Sequence, residues 1–177
     1  MARVPLIDDD VKPELSELCD RLRAGRRGSL INVYRILLNS PEMAEAWLGY
    51  MNAVRWGTGL SGRLREIVTI RIAYLNDVPY VLGQHVPKLA EAEGLSVAEC
   101  DALADWQGSE FFDAAERAAL AYTDAMTRDV KVPDDVFGAL GPHYSDKEIV
   151  DLSILVGAYN MHTRVFTALQ IDPEPAG

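Results

Sequence analysis

The residues of this sequence with the most chemistry to offer are a carboxylate, Glu66, and an imidazole, His85. Glu66 lies in Leu64-Arg-Glu-Ile-Val-Thr-Ile-Arg-Ile-Ala-Tyr-Leu75, where Arg65 and Arg71 are the only other charges. A helix so nearly apolar all round is buried. A buried carboxylate costs several kcal/mol, on the order of ion desolvation, unless it is paired or neutral. Glu66 must therefore be neutral or find His85 or an arginine. His85 shares a helical face with Leu82, Val86 and Leu89. Pro87 has no N–H to give the carbonyl of Gly83, so the helix should bend there and leave an acceptor beside the imidazole. Gly83 leaves room for a small molecule. Imidazole titrates near neutrality and suits proton transfer. The same two residues also read as a buried structural pair joining two helices. Tyr80, Gln84, Tyr34, Asn160 and Arg164 could contribute to a binding site: a phenol could donate to an enolate and a guanidinium could hold a carboxylate. Each also reads as packing or helix-end solvation.

Register brings the two principal groups together. Glu66 stands about nine residues before an Asn76-Asp77 turn and His85 about eight after it. At ~1.5 Å rise per residue, a helical hairpin sets them at nearly the same height. The flanking signals agree. Ser61 caps a helix over 62–75, Pro79 opens the next, and Gly94 closes it. Upstream, Pro13 starts a helix to about residue 24, a second covers 30–38, and Ser40-Pro41-Glu42 opens a third to about 56. Downstream, Ser96 with Glu99 forms a capping box. Residues 113–126 have helical spacing, a short helix follows Val132-Pro133, and Ser145 with Glu148 opens a last helix to about 169. The stretch from Ile67 to Ile72 is rich in β-branched residues, but its apolar spacing favours a helix. The tail, 172–177, is expected to fray. Trp47, Trp56 and Trp106 read as core or subunit-interface anchors.

Composition narrows the partners. The formal net charge of −10 argues against nucleic acid. The one basic cluster, Arg21, Arg23, Arg26 and Arg27, reads as a solvated helix end. No apolar run is long enough to span a membrane, and the opening residues lack a secretory h-region, so a cytoplasmic location is the expectation. Cys19 and Cys100 have neither metal nor redox spacing and read as apolar fillers. His143 and His162, the other histidines, belong to no Cys/His cluster, and no metal site is expected. The length of 177 residues fits one domain.

The pattern Leu64-Arg65-Glu66, a short turn, Tyr80, His85-Val86 and Gly94-Leu95-Ser96 resembles the core helix pair of the carboxymuconolactone decarboxylase family. Glu116 to Tyr122, Tyr144 to Leu152, and Tyr159-Asn160 followed by Arg164 extend the likeness over most of the chain from about residue 30. The resemblance implies an all-α, single-domain helical bundle that assembles as a homo-oligomer, a trimer or hexamer. It implies a lyase-type enzyme with no cofactor, using Glu66 and His85 as acid/base partners on a small organic acid, lactone or carbonyl compound. The variants are decarboxylation, isomerisation and elimination. The alternative is a redox-inactive relative that binds a ligand or serves a structural role. The related alkylhydroperoxidase D proteins carry Cys-x-x-Cys on this frame. Here those two positions fall on Val78 and Val81, with Tyr80 where the peroxidases often have histidine. Valine offers no redox atom, so dithiol peroxide reduction is not expected.

Overall fold

A computed structural model describes residues 1–25 and 28–174 of the chain. It is all-helical: among the described residues there is no strand. After a 3₁₀ turn at Pro13–Leu15 come α1 (Ser16–Ala24), α2 (Asn32–Leu37), α3 (Pro41–Trp56), α4 (Gly62–Leu75) and α5 (Pro79–His85). A one-turn π-helical segment, Val86–Ala90, continues α5. Then follow α6 (Val97–Ala102), a 3₁₀ stretch at Leu103–Gly108, α7 (Ala114–Arg128), α8 (Asp134–Gly138) and α9 (Asp146–Leu169). The expected elements are present, and Ile67 to Ile72 is helical. No helix among the described residues is long and apolar enough to cross a membrane.

The chain divides into two compact units, Met1–Ala53 with Val165–Gly177, and Val54–Arg164. In the first, the two ends of the chain are joined: Arg3 N donates to Leu169 O at 2.9 Å. Asp172 and Glu174, in the tail expected to fray, are held by hydrogen bonds. Ala2 N donates to Asp172 Oδ2 at 2.9 Å, Asn32 N to Glu174 Oε1 at 2.9 Å, and the Asn32 amide to Asp172 O at 3.1 Å. Polar side chains offered to otherwise unsatisfied backbone groups explain this order. Pro175–Gly177 lie outside the described residues. Arg21 and Arg23 are ion-paired, with Glu17 and Glu45 and with Asp9 and Asp20 respectively. Arg26 and Arg27 of the same cluster lie outside the described residues.

The second unit is organised on α4. Ser61 caps it by accepting from Leu64 N, and Leu64 and every residue from Glu66 to Ala73 are buried. It packs against α5, α7 and the 3₁₀ stretch. The core here includes Ile67, Ile70, Ala90, Leu95, Cys100, Leu103, Trp106, Phe112 and Leu120. Trp47 and Trp106 are buried, whereas Trp56 is 59% exposed. The α4–α5 turn passes through Asp77 at φ 51°, and Pro79 occupies the first turn of α5. Gly94, at φ +81°, ends the π-extended helix in the left-handed conformation that glycine adopts without steric cost.

Candidate functional site

The hairpin register brings the two groups into contact. His85 Nδ1 lies 2.6 Å from Glu66 Oε2. Glu66 is 5% exposed and His85 6%, so their contact is shielded from water. A carboxylate at this distance from Nδ1 selects the tautomer that carries its proton there. The lone pair is then on Nε2, the logic by which a second group orients a catalytic imidazole. Edge-on packing by Tyr159, with ring centroids 5.9 Å apart, helps to fix the imidazole plane. The second carboxylate oxygen, Oε1, is 4.0 Å from the guanidinium of Arg55, near the end of α3.

The imidazole sits at the junction of α5 with the π-helical segment. Such segments accommodate a local break in the i→i−4 ladder, and Pro87 supplies that break by lacking an N–H. A Cβ placed on Gly83 would meet no atom within 4 Å, and this residue is exposed. Gly83 therefore opens onto solvent.

Other charge on α4 is handled differently. Arg71 makes a bidentate pair with Asp124 of α7, at 2.6 and 2.7 Å. It also donates to the Leu103 and Ala104 carbonyls at 2.8 and 2.9 Å. Trp106 Nε1 donates to the same carboxylate at 3.3 Å. This network closes on itself and holds α4, α7 and the 3₁₀ stretch in register. Nothing in the local sequence around Arg71 announces Asp124, because the pairing joins two helices far apart along the chain.

The secondary candidates lie on three helices, α2, α5 and α9. Tyr80 is buried and Gln84 half-buried, both on α5. Tyr34 is buried on α2, in the unit that does not contain Glu66 and His85. The Asn160 amide donates to Thr127 Oγ1 at 2.9 Å and accepts from Asn76 at 3.2 Å, at the end of α4 opposite its cap. Arg164 is exposed and donates to the Asn160 carbonyl at 3.0 Å. Asn160 thus ties α9 to α7 and to the end of α4, while the Arg164 contacts stay within α9. The expectation missed Arg55. Its signal was present: it follows Met51 by one turn on the apolar stripe of α3, an unusual place for a cation.

Val78 and Val81, which the resemblance sets where the alkylhydroperoxidase D proteins carry cysteines, are both buried. Cys19 and Cys100 are fully buried, and burial pushes both thiols above the usual range. Neither is placed as an accessible nucleophile. Among the described residues no three His, Cys, Asp or Glu side chains are grouped to hold a metal ion.

Comparison with known proteins supplies a family. Residues 41–125 match the description "Carboxymuconolactone decarboxylase family". The uncharacterized protein YnjA of Escherichia coli (strain K12) is 30% identical over 75% of this chain and 71% of its own length. A crystal structure from Agrobacterium tumefaciens, of a protein of unknown function linked to AhpD-type antioxidant defence, is 29% identical. It superposes with a TM-score of 0.74 over 80% of this chain and 97% of that one. The debrominase Bmp8, crystallised with 2,3,4-tribromopyrrole, has a TM-score of 0.79 over 99% of this chain and 95% of its own. At 17% identity that likeness establishes the fold alone.

Proposed function

Since the chain belongs to the carboxymuconolactone decarboxylase family, with its alkylhydroperoxidase D-like all-α fold, we propose that it is an acid/base enzyme that transfers a proton next to a carbonyl of a small organic acid, lactone or related compound. The observation that carries this reading is the buried 2.6 Å contact between Glu66 and His85. Glu66 accepts the Nδ1–H and stabilises the imidazolium formed when Nε2 takes a proton. The C–H electron pair moves into an enolate. Return of the proton isomerises the substrate, and expulsion of a leaving group from the adjacent carbon completes an elimination. In a decarboxylation, the bond to the departing carboxyl carbon supplies the electron pair and the imidazolium supplies the proton. The chemistry asks for these two side chains and no cofactor. That another protein of this fold holds 2,3,4-tribromopyrrole supports a small organic molecule as the occupant.

The test does not require the native substrate. Proton transfer next to a carbonyl exchanges hydrogen for deuterium in heavy water, readable by NMR on pyruvate, levulinate and γ-butyrolactone. Wild-type protein should accelerate exchange in at least one of them. Glu66→Gln and His85→Asn should fold and lose about 10²-fold or more of that rate, the scale of a lost general acid or base. An unaltered rate in Glu66→Gln would refute the assignment. A second reading, a ligand-binding or structural relative, is favoured by the burial of both partners in an apolar core. It expects no exchange, and a lowered melting temperature in Glu66→Gln, because His85 is left with a poorer partner.

A further inference from the structure

The anomaly of the second unit is Arg55. Its side chain is only 17% exposed. Yet among the described residues its guanidinium donates no hydrogen bond. Its interactions are the 4.0 Å approach to Glu66 Oε1 and a seat over the Trp56 ring, 5.1 Å from the centroid. The other partly buried or buried arginines of this unit are all satisfied. Arg63 donates to Glu116 and Gly94, Arg65 to Leu60, and Arg117 to three backbone carbonyls. On the same helix as Glu66, Arg71 shows what a closed ion pair looks like, with two bonds to Asp124 at 2.6 and 2.7 Å. A guanidinium serving only as the counter-ion of Glu66 would close in that way. At 4.0 Å it instead neutralises Glu66 through space while keeping its fork of five donors open.

We propose that Arg55 is the anion-binding residue of the site. Its guanidinium seats a carboxylate of the substrate beside Glu66 and His85, which makes the substrate an organic carboxylate rather than a neutral lactone or carbonyl compound. The proposal rests on the acid/base reading of that pair. Three features fit it. A planar fork matches a carboxylate in two parallel hydrogen bonds. With the imidazole neutral before it takes a proton, Arg55 offsets the Glu66 charge, so an incoming anion meets an open fork of donors and no net negative charge. Arg65, its guanidinium 5.4 Å from the same Trp56 ring, is already engaged by Leu60 O and by Glu93 at 3.5 Å, which leaves Arg55 as the open donor. The partly exposed edge of Arg55 and the 59% exposed Trp56 ring put the seat within reach of solvent. Arg55 holds the ligand and takes no part in proton transfer.

The experiment titrates acetate and benzoate into the protein at constant ionic strength, with benzamide as the uncharged control, and follows the His85 ring signals by NMR. The wild type should show a saturable shift with at least one carboxylate and none with benzamide. Arg55→Gln should weaken binding at least about tenfold, as loss of a charge-assisted pair does. Arg55→Lys, which keeps the charge and loses the fork, should fall between the two and carries the test if the glutamine variant does not fold. Arg21→Gln, on α1, should bind as wild type does. Equal binding by Arg55→Gln, equal response to benzamide, or no saturation with either carboxylate would each overturn the proposal. The parent reading fails separately. If carboxylate binding depends on Arg55 but Glu66→Gln leaves deuterium exchange unaltered, the anion seat stands and the acid/base assignment falls.

Discussion

Two buried side-chain pairs anchored on one helix have opposite characters. Glu66 meets a titratable partner that can give and take a proton, and its second oxygen faces an unsaturated guanidinium. Arg71 meets the Asp124 carboxylate in a network that engages every guanidinium nitrogen. The second kind is structural, and breaking it should be expensive. Asp124→Ala leaves a guanidinium that is 3% exposed without its carboxylate, and removing one member of such a pair costs about 3–5 kcal/mol. Urea denaturation should show the midpoint falling accordingly; a midpoint within about 0.5 kcal/mol of wild type would mean that the Leu103 and Ala104 carbonyls suffice. Glu66 with His85 was legible because both lie on one hairpin, where counting residues from a turn gives height. Arg55 and Asp124 were not, because which helix packs on α4, and at what rotation, is decided by the packing of the unit.

At the level of elements, the sequence announces its helix ends in chemistry. Ser61, Ser96 with Glu99, Asp113 with Glu116, and Ser145 with Glu148 all make their capping bonds. Asp113 with Glu116 is a fourth signal, readable in the same way and absent from the expectation. The π-helical turn after His85 is less legible. Pro87 points to a break, but whether the chain kinks, stops or inserts a wider turn depends on what it packs against. Glu99 carries a pH signature. Hydrogen bonds from the Ser96 side chain and backbone, followed by the Arg63 contact, lower its carboxyl to about 2 from an ordinary value near 4.5. The folded-state pKa lies below the unfolded one, so the stabilisation is complete above about pH 4.5 and is lost as pH falls towards 2. Melting temperature should decline across that window in wild type and decline less steeply in Glu99→Gln, which starts lower because it lacks the capping carboxylate. Parallel acid profiles for the two proteins would show that other carboxylates dominate.

For the whole molecule, the composition and the surface make assembly the expected state. On α9, Val150, Ile154 and Met161 are 57%, 42% and 37% exposed and recur at helical spacing, with Gly157 between the last two. An apolar stripe left in water is a liability that a second copy would relieve. We expect sedimentation at micromolar concentration to report a trimer or hexamer, and Ile154→Glu to shift it towards smaller species. A wild-type monomer would remove the quaternary expectation. The all-helical class was open to sequence reading because helical periodicity is local. The partition into two units was not, since it depends on residues 165–174 returning to the first helices, a long-range event with no local mark.

That return has a consequence for how the protein is made. The second unit is one continuous stretch of chain, so it can begin to condense while synthesis is under way. The first unit cannot: Arg3 awaits Leu169, and Asn32 awaits Asp172 and Glu174, the last described residues to leave the ribosome. Its earliest segments are held without their partners until residues 169–174 have been made, and joining them closes a loop that runs through the whole of the second unit. The entropy of that closure grows only slowly with length, so stability suffers little. The cost falls on time, and the α4–α5 hairpin is positioned to be finished before Arg3 and Leu169 have met.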